Sequence, residues 1–142
     1  VLQEHHAAAV RKNLQLHLAL PPDESTVYTA HQALNQVLDN LLYNAVKFSL
    51  PERHIHIAVR PEDEFIECII RDEGPGFTPD DKLRMFRRYG RLSARPTGGE
   101  PSTGLGLSIV KKLVLEMGGE VVCESQPAEG ATFTLRLPSA AY

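Results

Sequence analysis

Seven apolar residues between His31 and Ser49 constrain the fold of this chain more than any other feature. Leu34, Val37, Leu38, Leu41, Leu42, Ala45 and Val46 recur at intervals of three, one and four, the spacing that gathers side chains on one side of an α-helix. Pro51 closes that helix. A helix with one apolar stripe must lie on another layer, and its neighbours read as a sheet. His54 to Val59 alternates, with Ile55, Ile57 and Val59 on one face. Phe65 to Ile70 is apolar and β-branched, and Pro61-Glu62-Asp63-Glu64 forms the hairpin turn between them. Leu14 to Leu18 alternates in the same way and is stopped by Pro21-Pro22.

The rest follows the same logic. Asp80 to Phe86 reads as a short helix, with Thr78 as N-cap and Pro79 at its first position. Gly106 to Met117 is helical and ends at Gly118-Gly119. Glu120 to Cys123 and Thr132 to Leu137 form a last hairpin turning at Ala128-Glu129-Gly130. The order β-α-β-β-α-α-β-β predicts an α/β (α+β) two-layer sandwich, a mixed sheet covered on one face by about three helices. Residues 1–13 are Ala-rich and charged and read as the tail of an upstream helical element; 14–142 form the domain.

Composition excludes several classes. With 142 residues, 42% hydrophobic and 23% charged, the chain suits a single globular domain. A net charge of −3 carries no footprint for nucleic acid. No apolar stretch approaches the roughly 20 residues of a membrane span. The start Val1-Leu2-Gln3-Glu4 lacks a basic, apolar leader and an initiator Met, so the expectation is a piece of a longer protein. Cys68 and Cys123 sit in separate strand patterns and are expected as buried reduced thiols in a cytoplasmic setting, whether or not the parent protein is membrane-anchored.

Four segments carry the chemistry. On the first helix Asn40, Asn44, Lys47 and Phe48 share a face opposite the apolar stripe. A carboxamide oxygen there can ligate Mg²⁺ and an ammonium can meet phosphate; surface polar residues on an amphipathic helix would look the same. Asp72 follows a strand and precedes Gly74-Pro75-Gly76. It can accept from an exocyclic amine such as adenine N6, or simply form a tight turn. Gly104-Leu105-Gly106-Leu107 opens a helix and offers free N–H groups to phosphate, without the Lys of a Walker A loop or the third glycine of a Rossmann fingerprint. Between them, Arg87 to Thr103 holds four Arg, two Pro and a Gly98-Gly99 pair without periodicity, as a disordered stretch or a functional lid does. His54 and His56 share a strand face with no further ligands nearby in sequence, so they read as solvent-facing rather than as a zinc site.

These residues together resemble the catalytic, ATP-binding domain of bacterial sensor histidine kinases, a Bergerat-type fold shared with type II topoisomerases, ATP-driven heat-shock chaperones and mismatch-repair ATPases. The resemblance runs from Leu14 to about Pro138. It implies ATP and Mg²⁺ as cofactors, Asn44 as the metal ligand with Asn40 beside it, Lys47 on the phosphates and Phe48 near the base. It further implies Asp72, with Gly74 and Gly76, on adenine N6. Phe86 and Tyr89 fall in an aromatic box, where Phe is usual at the second place. Arg91 becomes a lid arginine for the γ-phosphate, and Gly104, Leu105, Gly106 and Leu107 the far edge of the ATP lid. Gly130 and Thr132 close the adenine pocket. Catalysis would rest on Asn44, Lys47 and Arg91.

The resemblance also implies transfer of the γ-phosphate to a His on a dimerisation domain, and then to a response regulator. No phosphoacceptor box is present, since His5 and His6 are followed by His and Ala; the acceptor domain of the same kinase is therefore an expected partner and the fragment itself an expected monomer. Asn40 stands where hydrolysing relatives and serine kinases carry a Glu base, which disfavours a direct ATPase. A nucleotide-sensing pseudo-kinase is the other alternative.

Overall fold

A computed structural model describes residues 9, 14–19, 31–49, 51–62, 64–86, 106–125 and 129–139. Within them the chain runs β1 (Gln15–Ala19), α1 (His31–Phe48), β2 (His54–Pro61), β3 (Phe65–Asp72), α2 (Pro79–Arg84), α3 (Gly106–Glu116), β4 (Glu120–Ser125) and β5 (Ala131–Pro138). Each expected element is present, with ends moved by one or two residues. Residues 87–105, which include the stretch expected above as disordered or a functional lid, and most of 1–13 lie outside the described residues.

The five strands form one mixed sheet in the order β1-β2-β3-β5-β4. β1 and β2 are parallel, Leu16 opposite Ile55, so the chain crosses over through α1 between them. The remaining pairs are antiparallel, with Ile57 opposite Ile70, Ile70 opposite Phe133 and Phe133 opposite Cys123. Those registers put every second residue of four strands on one face. Ile55, Ile57, Ile70, Val121, Phe133, Leu135 and Leu137 are buried there.

That face carries the helices. Val37, Leu41, Leu42, Ala45 and Val46 of α1 and Leu107, Val110 and Val114 of α3 join the same core, and α1 packs on both β3 and α3. Burying a Leu, Val or Ile side chain is worth about 1.5–3 kcal/mol, so the stripe on α1 suffices to hold the helix to the sheet. α3 stops in a Schellman turn: Gly119 N–H reaches the Val114 carbonyl and Gly118 N–H that of Leu115, with Gly118 at φ +76°.

The other face of the sheet is polar. Arg136 Nε donates to Glu67 at 2.8 Å and its Nη1 to Glu120 at 3.3 Å, both across strands and exposed, where such pairs contribute little. Beside β1 three histidines gather, because the parallel register brings His17 opposite His56. His17 stacks on His54 and His56 with ring centroids 4.9 and 4.7 Å apart and planes within 28° of parallel. Among the described residues no group of three His, Cys, Asp or Glu side chains is arranged to hold a metal ion. Both His54 and His56 are half-buried on that face. Among the described residues, no helix is long and apolar enough to cross a membrane.

Candidate functional site

Three remote segments meet along one side of α1. Asn40 lies next to the first residue of α3: a Cβ built on Gly106 would stand 3.6 Å from Asn40 Oδ1. Two turns further on, the loop after β3 runs against the helix end, so closely that a Cβ on Gly74 would collide with the Phe48 carbonyl oxygen. Only glycine permits that approach. In the intervening turns lie Asn44 and Lys47, 7% and 6% exposed. A buried amide and a buried ammonium on one helix face are unusual for residue types that normally stay in water. Lys47 Nζ sits over the Phe48 ring, 4.6 Å from its centroid, and 5.6 Å from that of Tyr43, contacts that offset part of its desolvation.

Asp72 ends β3, against the Gly74 loop. Its carboxylate is buried, and Oδ1 accepts from Gly74 N–H at 2.9 Å and from Ala131 N–H at 3.3 Å. Burial pushes its pKa up to about 6, against the pull of those two N–H groups. At neutral pH the group is an ionised acceptor with one oxygen held by backbone. Phe77 closes the loop, edge-on to Phe48 at 5.9 Å and to Phe133 at 6.3 Å.

The β4–β5 turn braces the loop from the other side. Ser125 Oγ accepts from Phe77 N–H at 2.8 Å and donates to the Gly130 carbonyl at 2.6 Å. Gly130 is at φ +77°, and a Cβ there would collide with the Asp72 carbonyl oxygen. Both the sign of φ and the contact call for glycine.

Asn40, Asn44, Lys47, Phe48, Asp72, Gly74, Gly76 and Gly106 thus converge on α1 and the loop after β3. Phe48 and Leu107 do so as core residues, each buried in the main cluster. Phe86 packs partly buried at the core edge, with Lys111 Nζ 5.6 Å from its ring centroid. Thr132 is placed differently. Strand alternation turns Ala131 toward Asp72 and Thr132 toward the polar face, opposite Arg71 and Glu124. A cavity of about 330 Å³ is lined by Lys82, Cys123, Glu129, Gly130 and Thr132, from both sides of the β4–β5 edge. Tyr89, Arg91, Gly104 and Leu105 lie outside the described residues. Neither cysteine is disulfide-bonded. Burial pushes Cys68 up to about 11, and burial with the nearby Asp72 charge pushes Cys123 up to about 12, so both are neutral thiols without nucleophilic character.

Sequence reasoning missed Ala131, Phe77 and Ser125. Alternation alone could have assigned Ala131 to the Asp72 side. Nothing local marks Ser125, whose N–H partner is 48 positions away.

Residues 29–141 match the family model described as histidine kinase-, DNA gyrase B-, and HSP90-like ATPase. The chain belongs to that family. Among its members the chain is similar to sensor histidine kinases. It is 37% identical over 128 residues to the histidine protein kinase DivJ of Caulobacter vibrioides, covering 88% of this chain and 21% of DivJ. It is 33% identical over 138 residues to the sensor histidine kinase WalK of Bacillus subtilis, covering 96% of this chain and 21% of WalK. The solved structure of the mycobacterial sensor histidine kinase MprB superposes with a TM-score of 0.82 at 27% identity, covering 96% of this chain and 91% of that one. Full-length ShkA, solved with AMPPNP, gives 0.82 at 29% identity, over 97% of this chain and 28% of that one. The fold and the catalytic ATPase domain of histidine kinases are thereby shown. The chain spans about a fifth of the length of DivJ and WalK, which are larger proteins with further domains.

Proposed function

We propose that this domain binds Mg·ATP in the cleft beside α1 and delivers the γ-phosphate to a histidine on the dimerisation domain of its own kinase. The observation that carries the reading is the buried Asp72 carboxylate at the end of β3, with Oδ1 held by two backbone N–H groups. A buried carboxylate kept ionised at neutral pH is an acceptor waiting for a donor, and the exocyclic amine of adenine is one. Gly74 lets the main chain lie flat there, as a planar base requires.

The phosphate end follows the helix. Asn44 supplies the neutral, hard oxygen that would hold magnesium, and the bound ion would neutralise phosphate charge. Lys47 sits one turn on and adds a point charge. The start of α3 at Gly106 directs N–H groups toward anions. Arg91, Tyr89, Gly104 and Leu105 are assigned to the lid that covers the nucleotide. The domain's contribution is positioning and charge neutralisation. Asn40, beside Gly106, has no basic group with which to activate water, which favours an acceptor histidine over hydrolysis. Passage of the phosphate to an aspartate of a response regulator is the consequence.

The test is incubation with γ-labelled ATP and the separately expressed dimerisation domain of the parent kinase. An acid-labile, base-stable label on that domain is expected, lost in Asn44→Ala. Steady ADP release without any acceptor would instead identify a hydrolase, and tight binding with no label on the acceptor a nucleotide-sensing module.

A further inference from the structure

Asp72 belongs to a closed ring of hydrogen bonds, and one side chain completes it. The carbonyl of Gly130 and the N–H of Ala131 belong to a single peptide unit. Its N–H donates to Asp72 Oδ1 at 3.3 Å, while its carbonyl accepts from Ser125 Oγ at 2.6 Å. The same Ser125 oxygen accepts from Phe77 N–H at 2.8 Å. The loop 72–77 is therefore gripped twice, at Asp72 and at Phe77, by one peptide and one hydroxyl. Bonds in such a series polarise one another: donation by Ser125 to the carbonyl strengthens the N–H that meets the carboxylate.

We propose that Ser125 is a positioning residue for adenine recognition, acting through the Gly130–Ala131 peptide to aim the Asp72 carboxylate and through Phe77 to hold the loop that faces the base. This rests on the reading of the cleft as an adenine site. A hydroxyl is required because the position must accept and donate at once; Ala does neither, and Val, which matches Thr in shape, does neither.

The experiment compares wild type, Ser125→Thr, Ser125→Val and Asp72→Asn for binding of a non-hydrolysable ATP analogue, and of adenosine between pH 5 and 8. Adenosine has no group of its own that titrates in that range. Ser125→Val is expected to bind the ATP analogue about tenfold more weakly and to move the midpoint of the adenosine pH profile upward. Ser125→Thr should restore both, with thermal unfolding checking that each variant folds. Unchanged affinity and pH midpoint in a folded Ser125→Val overturns the proposal, and so does a Ser125→Thr that folds yet behaves as Ser125→Val. Should wild type bind no adenine nucleotide, or Asp72→Asn keep full preference for ATP over GTP, the adenine reading fails at its own level, independently of Ser125.

Discussion

Asp72 is a buried carboxylate that carries a cost to the fold. Unfolded, its carboxyl ionises near 3.8; folded, burial pushes that to about 6. Between these values the unfolded chain has released a proton that the folded chain retains, so stability falls as pH rises from about 4 to about 6 and is level above that. The difference corresponds to about 3 kcal/mol. Urea unfolding at pH 4 and pH 7 should show Asp72→Asn gaining on wild type by up to this amount at the higher pH; an equal gap at both values would refute the assignment. Asp72, Asn44 and Lys47 were legible in the sequence because their signals are local, a carboxylate before a glycine turn and two polar residues one helical turn apart. Their burial was not legible. A polar face opposite an apolar stripe reads as solvated, and nothing local tells that the glycine loop meets its Phe48 end and α3 its Asn40 end. Thr132 was assigned to the pocket by motif position, whereas strand alternation gives the Asp72 side to Ala131.

At the scale of elements, α2 illustrates how a helix of six residues is held in place. Asp81 N–H donates to Thr78 Oγ1 at 3.1 Å and Thr78 N–H to Asp81 Oδ2 at 3.0 Å, a reciprocal capping box. Pro79 presets the first helical turn. The cap fixes the exit of the loop just after Phe77, whose ring touches Phe48 and Phe133. Thr78→Ala should lower stability by about 1–2 kcal/mol, read as a shift of the urea midpoint at constant slope; a midpoint identical to wild type would show that the box contributes nothing. Strands, helices and this cap could be read from periodicity and punctuation. Which strands become neighbours could not. β1 pairs in parallel with β2 across the whole of α1, and β5 inserts between β3 and β4, choices made by the packing of helices on one face rather than by any segment alone.

The whole molecule is a sheet with one dry and one wet side, and the candidate site lies where the dry side opens at the ends of β3 and α1. This placement explains why its residues come from remote parts of the chain: Asp72 from β3, Asn40, Asn44 and Lys47 from α1, Gly106 from α3 and the Ser125 brace from the β4–β5 turn. The fold is shared with MprB at 27% identity and a TM-score of 0.82, as expected when contacts between elements matter more than most side chains. In the proposed site, nucleotide binds through magnesium held by Asn44. Calorimetric titration of the domain with a non-hydrolysable ATP analogue, with and without Mg²⁺ and beside Asn44→Ala, tests it most directly. Binding that requires Mg²⁺ and disappears in a folded Asn44→Ala is the expected result; binding of equal affinity with and without the ion, or undiminished in the variant, would contradict it.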